Sequence, residues 1–365
     1  MARTLGRALL GLLAFAVFCE LLMRALPVSS STESGYYFDD MILTYPAHHR
    51  WQAATGWDLR NAQSMRSNNF GFAAERDFEH DSRAVALIGD SFVEASMLRS
   101  INRPGPQLEK ALDHPRPVYA MGGPGSSLLD YAERIRFARE RFGVQDFVVL
   151  LERGDVRQSL CGSANIHAAC LEPNTFAAKT EKQPLPSLAK RILRRSALAQ
   201  YLFSQLKLSP ARLWKQTFTR ATPAHPSAVP PAEAKVDSAD RAGRPSPAVD
   251  AVVAAFFERI RSHVGGRLVL VVDSDRASLS AARTTADPDR LRLMDLARNQ
   301  GAIVIDTQDI FRRHAATSTL SLNVGPYDGH FNALAVQLVT RAAAEALRAP
   351  VKPDPLPKDS SRAVH

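Results

Sequence analysis

Cysteine is scarce in this chain, with three among 365 residues at positions 19, 161 and 170. Cys19 falls in an apolar N-terminal run, so one bridge at most remains, between Cys161 and Cys170. His167 beside those two thiols does not complete a metal-ligand set, so neither a metal nor any other cofactor is expected. No nucleic-acid-binding motif accompanies the formal charge of +9, and nucleic acid is not an expected partner. That charge is local: residues 171–245 carry 13 lysines and arginines against five acidic residues, which accounts for eight of the nine excess charges. An apolar share of 45% excludes global disorder.

Long apolar runs are also missing, with one exception. Arg3 and Arg7 precede a stretch from Ala8 to Leu26 that is mostly Leu, Ala, Phe and Val. About 20 apolar residues suffice to cross a bilayer. Glu20 and Arg24 interrupt the run near its end, where they can pair at i, i+4. Arginines before the span favour a cytoplasmic N-terminus and an exported remainder. A cleaved signal peptide is the rival reading, but the segment has no clean Ala-x-Ala exit site. Residues 1–28 are therefore expected to be a retained single-pass anchor, with the rest exported to an oxidising compartment. In that oxidising compartment Cys161 and Cys170, nine positions apart, are candidates for a disulfide. Two free thiols in a loop are the alternative.

Short runs rich in Val, Ile or Leu occur at Ala84–Ile88, Pro117–Met121, Asp146–Leu151, Arg267–Val272 and Ala302–Ile305. Helical patterns lie between or after them, at Pro106–Leu112, Leu128–Phe142, Val249–Val264, Pro288–Asn299 and Ala333–Leu347. Strands alternating with helices predict an α/β fold: a parallel sheet of about five strands with helices on both faces. Ligands in such folds bind beyond the carboxyl ends of the strands. Ser91, Gly125 and Gly154 each fall just after a predicted strand, on that edge. Residues 157–247 interrupt the alternation. They hold both cysteines, a basic amphipathic stretch from Leu188 to Phe218 with Trp214, and a Pro/Ala/Ser-rich tract from Ala221 to Pro247. The basic stretch reads as a lid, as a patch for anionic lipid, or as an ordinary packed helix with a solvated face. Residues 349–365 read as a disordered tail.

Two segments carry chemistry. Gly89-Asp90-Ser91-Phe92 follows the first strand, and Tyr327-Asp328-Gly329-His330-Phe331-Asn332 precedes the last helix. Singly, Ser91 is a helix-capping serine, Asp328-Gly329 a turn and His330 a loop histidine. Together they supply a nucleophile at a strand-to-helix turn, an imidazole to take its proton, and a carboxylate to orient and stabilise the imidazolium. Asn332 is placed to cap the last helix.

These blocks, in this order, resemble the SGNH (GDSL-like) hydrolase superfamily, and Ser67-Asn68-Asn69-Phe70-Gly71-Phe72 resembles a segment that precedes the serine block in its membrane-anchored bacterial members. The resemblance spans roughly residues 40–155 and 250–348, which makes residues 40–348 one domain with an insertion at about 157–247. It implies a three-layer, flavodoxin-like α/β/α fold and a triad of Ser91, Asp328 and His330. It also implies an oxyanion hole from the Ser91 N–H and from Gly125 of the block Ala120–Gly125. Gly154 stands where the family's third block has an asparagine donor, so the Gly154 N–H is the expected third donor of the hole, with a side chain from the insertion or no third donor as the alternatives; Asp-x-His replaces the more frequent Asp-x-x-His. The implied activity is hydrolysis of an ester, with O-acyl esters of an exported glycan as the substrate class. Transfer of an acyl group to a polysaccharide with a membrane acyl-donor partner is the alternative, and a catalytically weak binding module is the second.

Overall fold

The computed structural model describes residues 2–57, 59, 61–112, 116–163, 165–184, 186–206, 208, 245–276, 287–325 and 328–349. The Ala221–Pro247 tract up to residue 244, Trp214 and Phe218, and the expected tail from residue 350 lie outside them.

Five parallel strands form the central sheet: β1 (Val85–Gly89), β2 (Val118–Gly122), β3 (Asp146–Leu151), β4 (Leu268–Val272) and β5 (Ile303–Asp306). Their spatial order is β2-β1-β3-β4-β5, the doubly wound order of flavodoxin-like folds. Gly89 pairs with Gly122, and Leu151 with Val272, so the first four strands end level at one carboxyl edge.

Strand geometry sorts the apolar residues into two cores, because successive side chains point to opposite faces. Ala86, Ile88, Met121, Val149, Leu151 and Leu270 face a core closed by α3 (Leu128–Phe142), α4 (Pro247–Ile260) and α5 (Pro288–Asn299). Val85, Leu87, Ala120, Val148, Leu150 and Val269 face the other, closed by α2 (Pro104–Ala111), α6 (Thr307–Thr317) and α7 (Ala333–Arg348). Burying each large aliphatic side chain contributes about 1.5–3 kcal/mol, so a strand buried on both sides is held strongly in register. Capping residues and proline set the helix starts. Ser246 and Asp287 accept from backbone N–H groups in the first turns of α4 and α5, each of which opens with a proline.

The predicted strands and helices match observed ones to within a few residues. Three elements depart from the reading of the sequence. Helix α6 was not expected, because Thr307 and Phe311 are its only fully buried residues. Arg50–Ala53 and Gln63–Arg66 form an antiparallel hairpin beside the sheet. Asp328–Phe331 is a short strand paired with Asn323–Gly325, where a loop was expected. The Asn68–Phe72 segment is a brace. The Asn68 carboxamide oxygen accepts from the Phe70 and Phe72 N–H groups at 3.0 Å each, and Asn69 ties down Phe78 at both its N–H and its carbonyl. Gly71 sits at φ +76°, and a Cβ there would stand 2.0 Å from the Tyr45 carbonyl oxygen, so only glycine fits.

At the N-terminus, α1 (Ala2–Ala25) contains the stretch Arg3–Ala25, whose most apolar 18 residues have mean hydropathy 2.0, long and apolar enough to cross a membrane. Glu20 and Arg24 pair at 2.8 Å within it. The insertion contributes a small hairpin (Ala169–Leu171 with Ala178–Thr180) and a helix at Leu188–Arg194. A further helical stretch runs over Ala197–Gln205.

Candidate active site

Ser91 opens a four-residue helix, Ser91–Glu94, at the carboxyl end of β1. Asp90 shapes this turn: its carboxylate accepts from the Phe92 N–H at 2.8 Å. The helix stops at Ala95, which adopts a left-handed conformation at φ +46°. Glycine at 122 is required below it, because a Cβ there would come within 2.3 Å of the Glu94 nitrogen. Ser91 is thus held on a short, tightly packed turn.

The strand Asp328–Phe331 packs against the Ser91–Glu94 helix and brings the second block to the first. Ser91 Oγ lies 2.8 Å from His330 Nε2, and His330 Nδ1 lies 2.6 Å from Asp328 Oδ1. Asp328 Oδ1 also accepts from the His330 backbone N–H at 3.0 Å, which makes the two-residue spacing a compact hook. Phe92 packs on the imidazole and on Phe331, with ring centroids 4.9 Å apart in each case. Asn332 caps α7, accepting from the Ala335 N–H at 3.0 Å. The His330 side chain is 28% exposed, open enough for a bound molecule to reach.

Two arginines that sequence reasoning passed over hold these pieces together. Arg134 is fully buried on α3 and donates to the Gly89 carbonyl at 2.7 Å, the Met121 carbonyl at 3.3 Å and Ser126 Oγ at 3.0 Å. It therefore ties the ends of β1 and β2. Arg276 follows β4. It pairs with buried Asp273 at 2.6 Å, donates to Asn323 Oδ1 at 2.7 Å and binds the Gly329 carbonyl between Asp328 and His330. Its guanidinium lies 4.6 Å over the Phe331 ring. In sequence both look like solvated charges.

The three expected oxyanion donors part company. Among the described residues, the backbone N–H groups of Ser91 and Gly125 meet no protein acceptor. Gly125 takes φ +70° in the turn after β2. The Gly154 N–H, by contrast, donates to Glu152 Oε2 at 2.5 Å, and Gly154 has ordinary helical dihedrals. The structure therefore commits the Gly154 N–H to a neighbouring carboxylate. The rest of that third block is structural: Arg153 pairs with Asp275 at 3.3 Å, and buried Asp155 accepts from Tyr131 and from the Glu152 N–H.

The segment between the cysteines closes over the Gly125 turn. Cys161 and Cys170 form a disulfide. Asp130 accepts from the His167 and Ala168 N–H groups, pinning the loop to the start of α3. The Asn165 side chain stands 3.6 Å from where a Cβ on Gly125 would lie.

Burial dominates the electrostatics of this edge. It pushes Asp90 up to about 6, helped by the charge of Glu152 and opposed by the Phe92 N–H and His330. It pushes Glu94 up to about 7, opposed by the Tyr45 hydroxyl and by Arg103 and Arg134. Burial and the Arg134 charge bring His167 down to about 4. Glu94 also lines a cavity of about 220 Å³ with Tyr45, Trp51, Ser96 and Met97, but none of Ser91, Asp328 or His330 lines it.

No family model matches the chain. No curated protein matches it. Solved structures do show similarity. A member of the lipolytic protein G-D-S-L family from Veillonella parvula is 10% identical, with 73% of this chain and 99% of that one covered and a TM-score of 0.38. A carbohydrate acetylesterase family member from Sinorhizobium meliloti is 14% identical over 73% of this chain and 97% of its own, with a TM-score of 0.34. An acetyl-xylooligosaccharide esterase from Geobacillus is 12% identical over 74% and 96%, with a TM-score of 0.38.

Proposed function

We propose that this chain is a serine-dependent ester hydrolase of the SGNH type, anchored in a bacterial inner membrane and working in the periplasm. The observation that carries the reading is the hydrogen-bonded chain from Ser91 Oγ to His330 Nε2 and from His330 Nδ1 to Asp328, at the carboxyl edge of a sheet in flavodoxin-like order. Ligands of doubly wound folds bind at that edge.

In this reading His330 Nε2 takes the Ser91 proton as Oγ attacks the ester carbonyl. The oxyanion that forms is met by the free N–H groups of Ser91 and Gly125. His330 then returns the proton to the departing alcohol, leaving an acyl group on Oγ. Water, deprotonated by the same nitrogen, releases the acid and restores the serine. Asp328 keeps the imidazole in the tautomer with its proton on Nδ1 and stabilises the imidazolium. The motif resemblance supports O-acyl groups on an exported glycan as the substrate class, in keeping with the proposed location.

A second reading is favoured by one observation. With the Gly154 N–H held by Glu152 and no asparagine in that block, the hole has two donors in place of three. A lost donor typically lowers the rate by about 10²–10³-fold. A slow enzyme or a binding module for acylated glycan would fit such a site. Acetate release from O-acetylated oligosaccharides, compared between wild type and Ser91→Ala, separates the readings. Turnover lost in the variant supports the hydrolase. Glycan binding without any turnover in the wild type supports the module.

A further inference from the structure

We infer that the helix Leu188–Arg194 lies on the bilayer as an interfacial element and binds anionic phospholipid beside the exit of α1; this rests on the reading of α1 as a retained anchor. Three observations converge. First, the helix is amphipathic. At 100° per residue, Leu188, Ile192 and Leu193 fall within about 140° of one face, and Lys190, Arg191 and Arg194 within about 100° of the opposite one. The three apolar side chains are 71%, 65% and 51% exposed, so the protein leaves that face uncovered. Among the described residues, none of the three cations forms an ion pair.

Second, the segment is fastened to the anchor. The Glu20 carboxylate accepts from Ser196 Oγ at 2.7 Å and from the Ala197 and Leu198 N–H groups at 3.0 Å each. Arg24 donates to the Arg195 carbonyl at 3.1 Å. These bonds join the last turns of α1 to the residues that immediately follow the amphipathic helix.

Third, the depth is right. Glu20 precedes the end of α1 at Ala25 by five residues, about 7–8 Å along the helix axis. Interfacial helices bury their apolar face about 5–10 Å into the boundary between headgroups and acyl chains. The apolar face therefore meets acyl chains at the level where the basic face meets headgroup phosphates. Charge complementarity and continuity with the anchor both point to the lipid surface as occupant. Each basic residue near an anionic surface contributes about fivefold, so the three together favour the docked state by about a hundredfold.

The test uses the full chain in nanodiscs, with Cys19→Ser removing the free thiol and the disulfide kept. A fluorophore is placed in turn at Ile192→Cys, at Ile101→Cys on the catalytic domain, and at Leu12→Cys in the anchor. Quenching by lipids spin-labelled near the headgroup, and for position 12 by lipids labelled deep in the acyl chain, is read in phosphatidylcholine with and without phosphatidylglycerol. The expected result is quenching at 192 at least about twofold above that at 101, stronger with phosphatidylglycerol, and lost in Lys190→Gln/Arg191→Gln/Arg194→Gln. Equal quenching at 192 and 101, with position 12 still quenched by deep labels, overturns the docking and leaves the anchor intact. Equal quenching at 192 in the two lipids overturns the anionic preference. An unquenched position 12 overturns the anchor, and the docked helix with it.

Discussion

Replacing Glu94 by glutamine should change how stability depends on pH, by an amount set by its burial. Glu94 ends the helix that carries Ser91, and its carboxyl accepts from the Tyr45 hydroxyl at 2.9 Å. Burial raises it from an ordinary 4.5 to about 7. Below about 4.5 both folded and unfolded chains hold this proton, and the group contributes its full stability. As pH rises toward 7 the unfolded chain releases the proton and the folded one keeps it, so stability falls. Each pH unit in that window costs about 1.4 kcal/mol, and the whole window about 3 kcal/mol. Glutamine is neutral throughout and its amide oxygen can still accept from Tyr45. The stability difference between Glu94→Gln and wild type should therefore grow with pH over that window and level off above about 7. Urea denaturation across the range reads it directly. Titration of His167, whose lowered value makes stability fall on acidification, is common to both proteins and cancels in the difference. Parallel stability curves would refute the reasoning.

Asp328→Asn should leave the fold intact and lower ester turnover by about 10³–10⁴-fold, because the amide would favour the wrong imidazole tautomer; steady-state kinetics and circular dichroism check the two halves. Arg276→Met should free the strand carrying Asp328 and His330, lowering kcat by about 10²-fold with little change in KM. An unchanged kcat would reduce Arg276 to a packing role. Cys161→Ser/Cys170→Ser should cost about 2–3 kcal/mol in denaturation experiments by chain-entropy reasoning for a separation of nine residues. It should also lower activity, since the loop closes over the Gly125 turn.

What could be read from sequence was what repeats or alternates. The five strands are continuous runs of Val, Ile and Leu because both of their faces are buried, and α3 and α5 carry clear apolar periods. The grouping of Ser91, Asp328 and His330 was legible because a serine, an imidazole and a carboxylate stood in two blocks that flank predicted elements. Helix α6 was not legible, since one buried phenylalanine makes no period. Nor were the buried charges. Arg134 and Glu94 resemble surface residues until the fold encloses them, and most of their partners, Gly89, Met121 and Tyr45 among them, are distant in sequence. Gly154 looked like a donor because glycine permits one; only the fold shows Glu152 reaching back to its N–H.

The central claim is that Ser91 is a nucleophile activated by His330. Its most direct test is reaction of the full-length protein with a fluorophosphonate, followed by peptide mapping. The account predicts one covalent adduct per chain on Ser91, none on Ser91→Ala, and labelling strongly slowed in His330→Ala. An unmodified Ser91 after prolonged exposure, or a label that persists in Ser91→Ala, would contradict it.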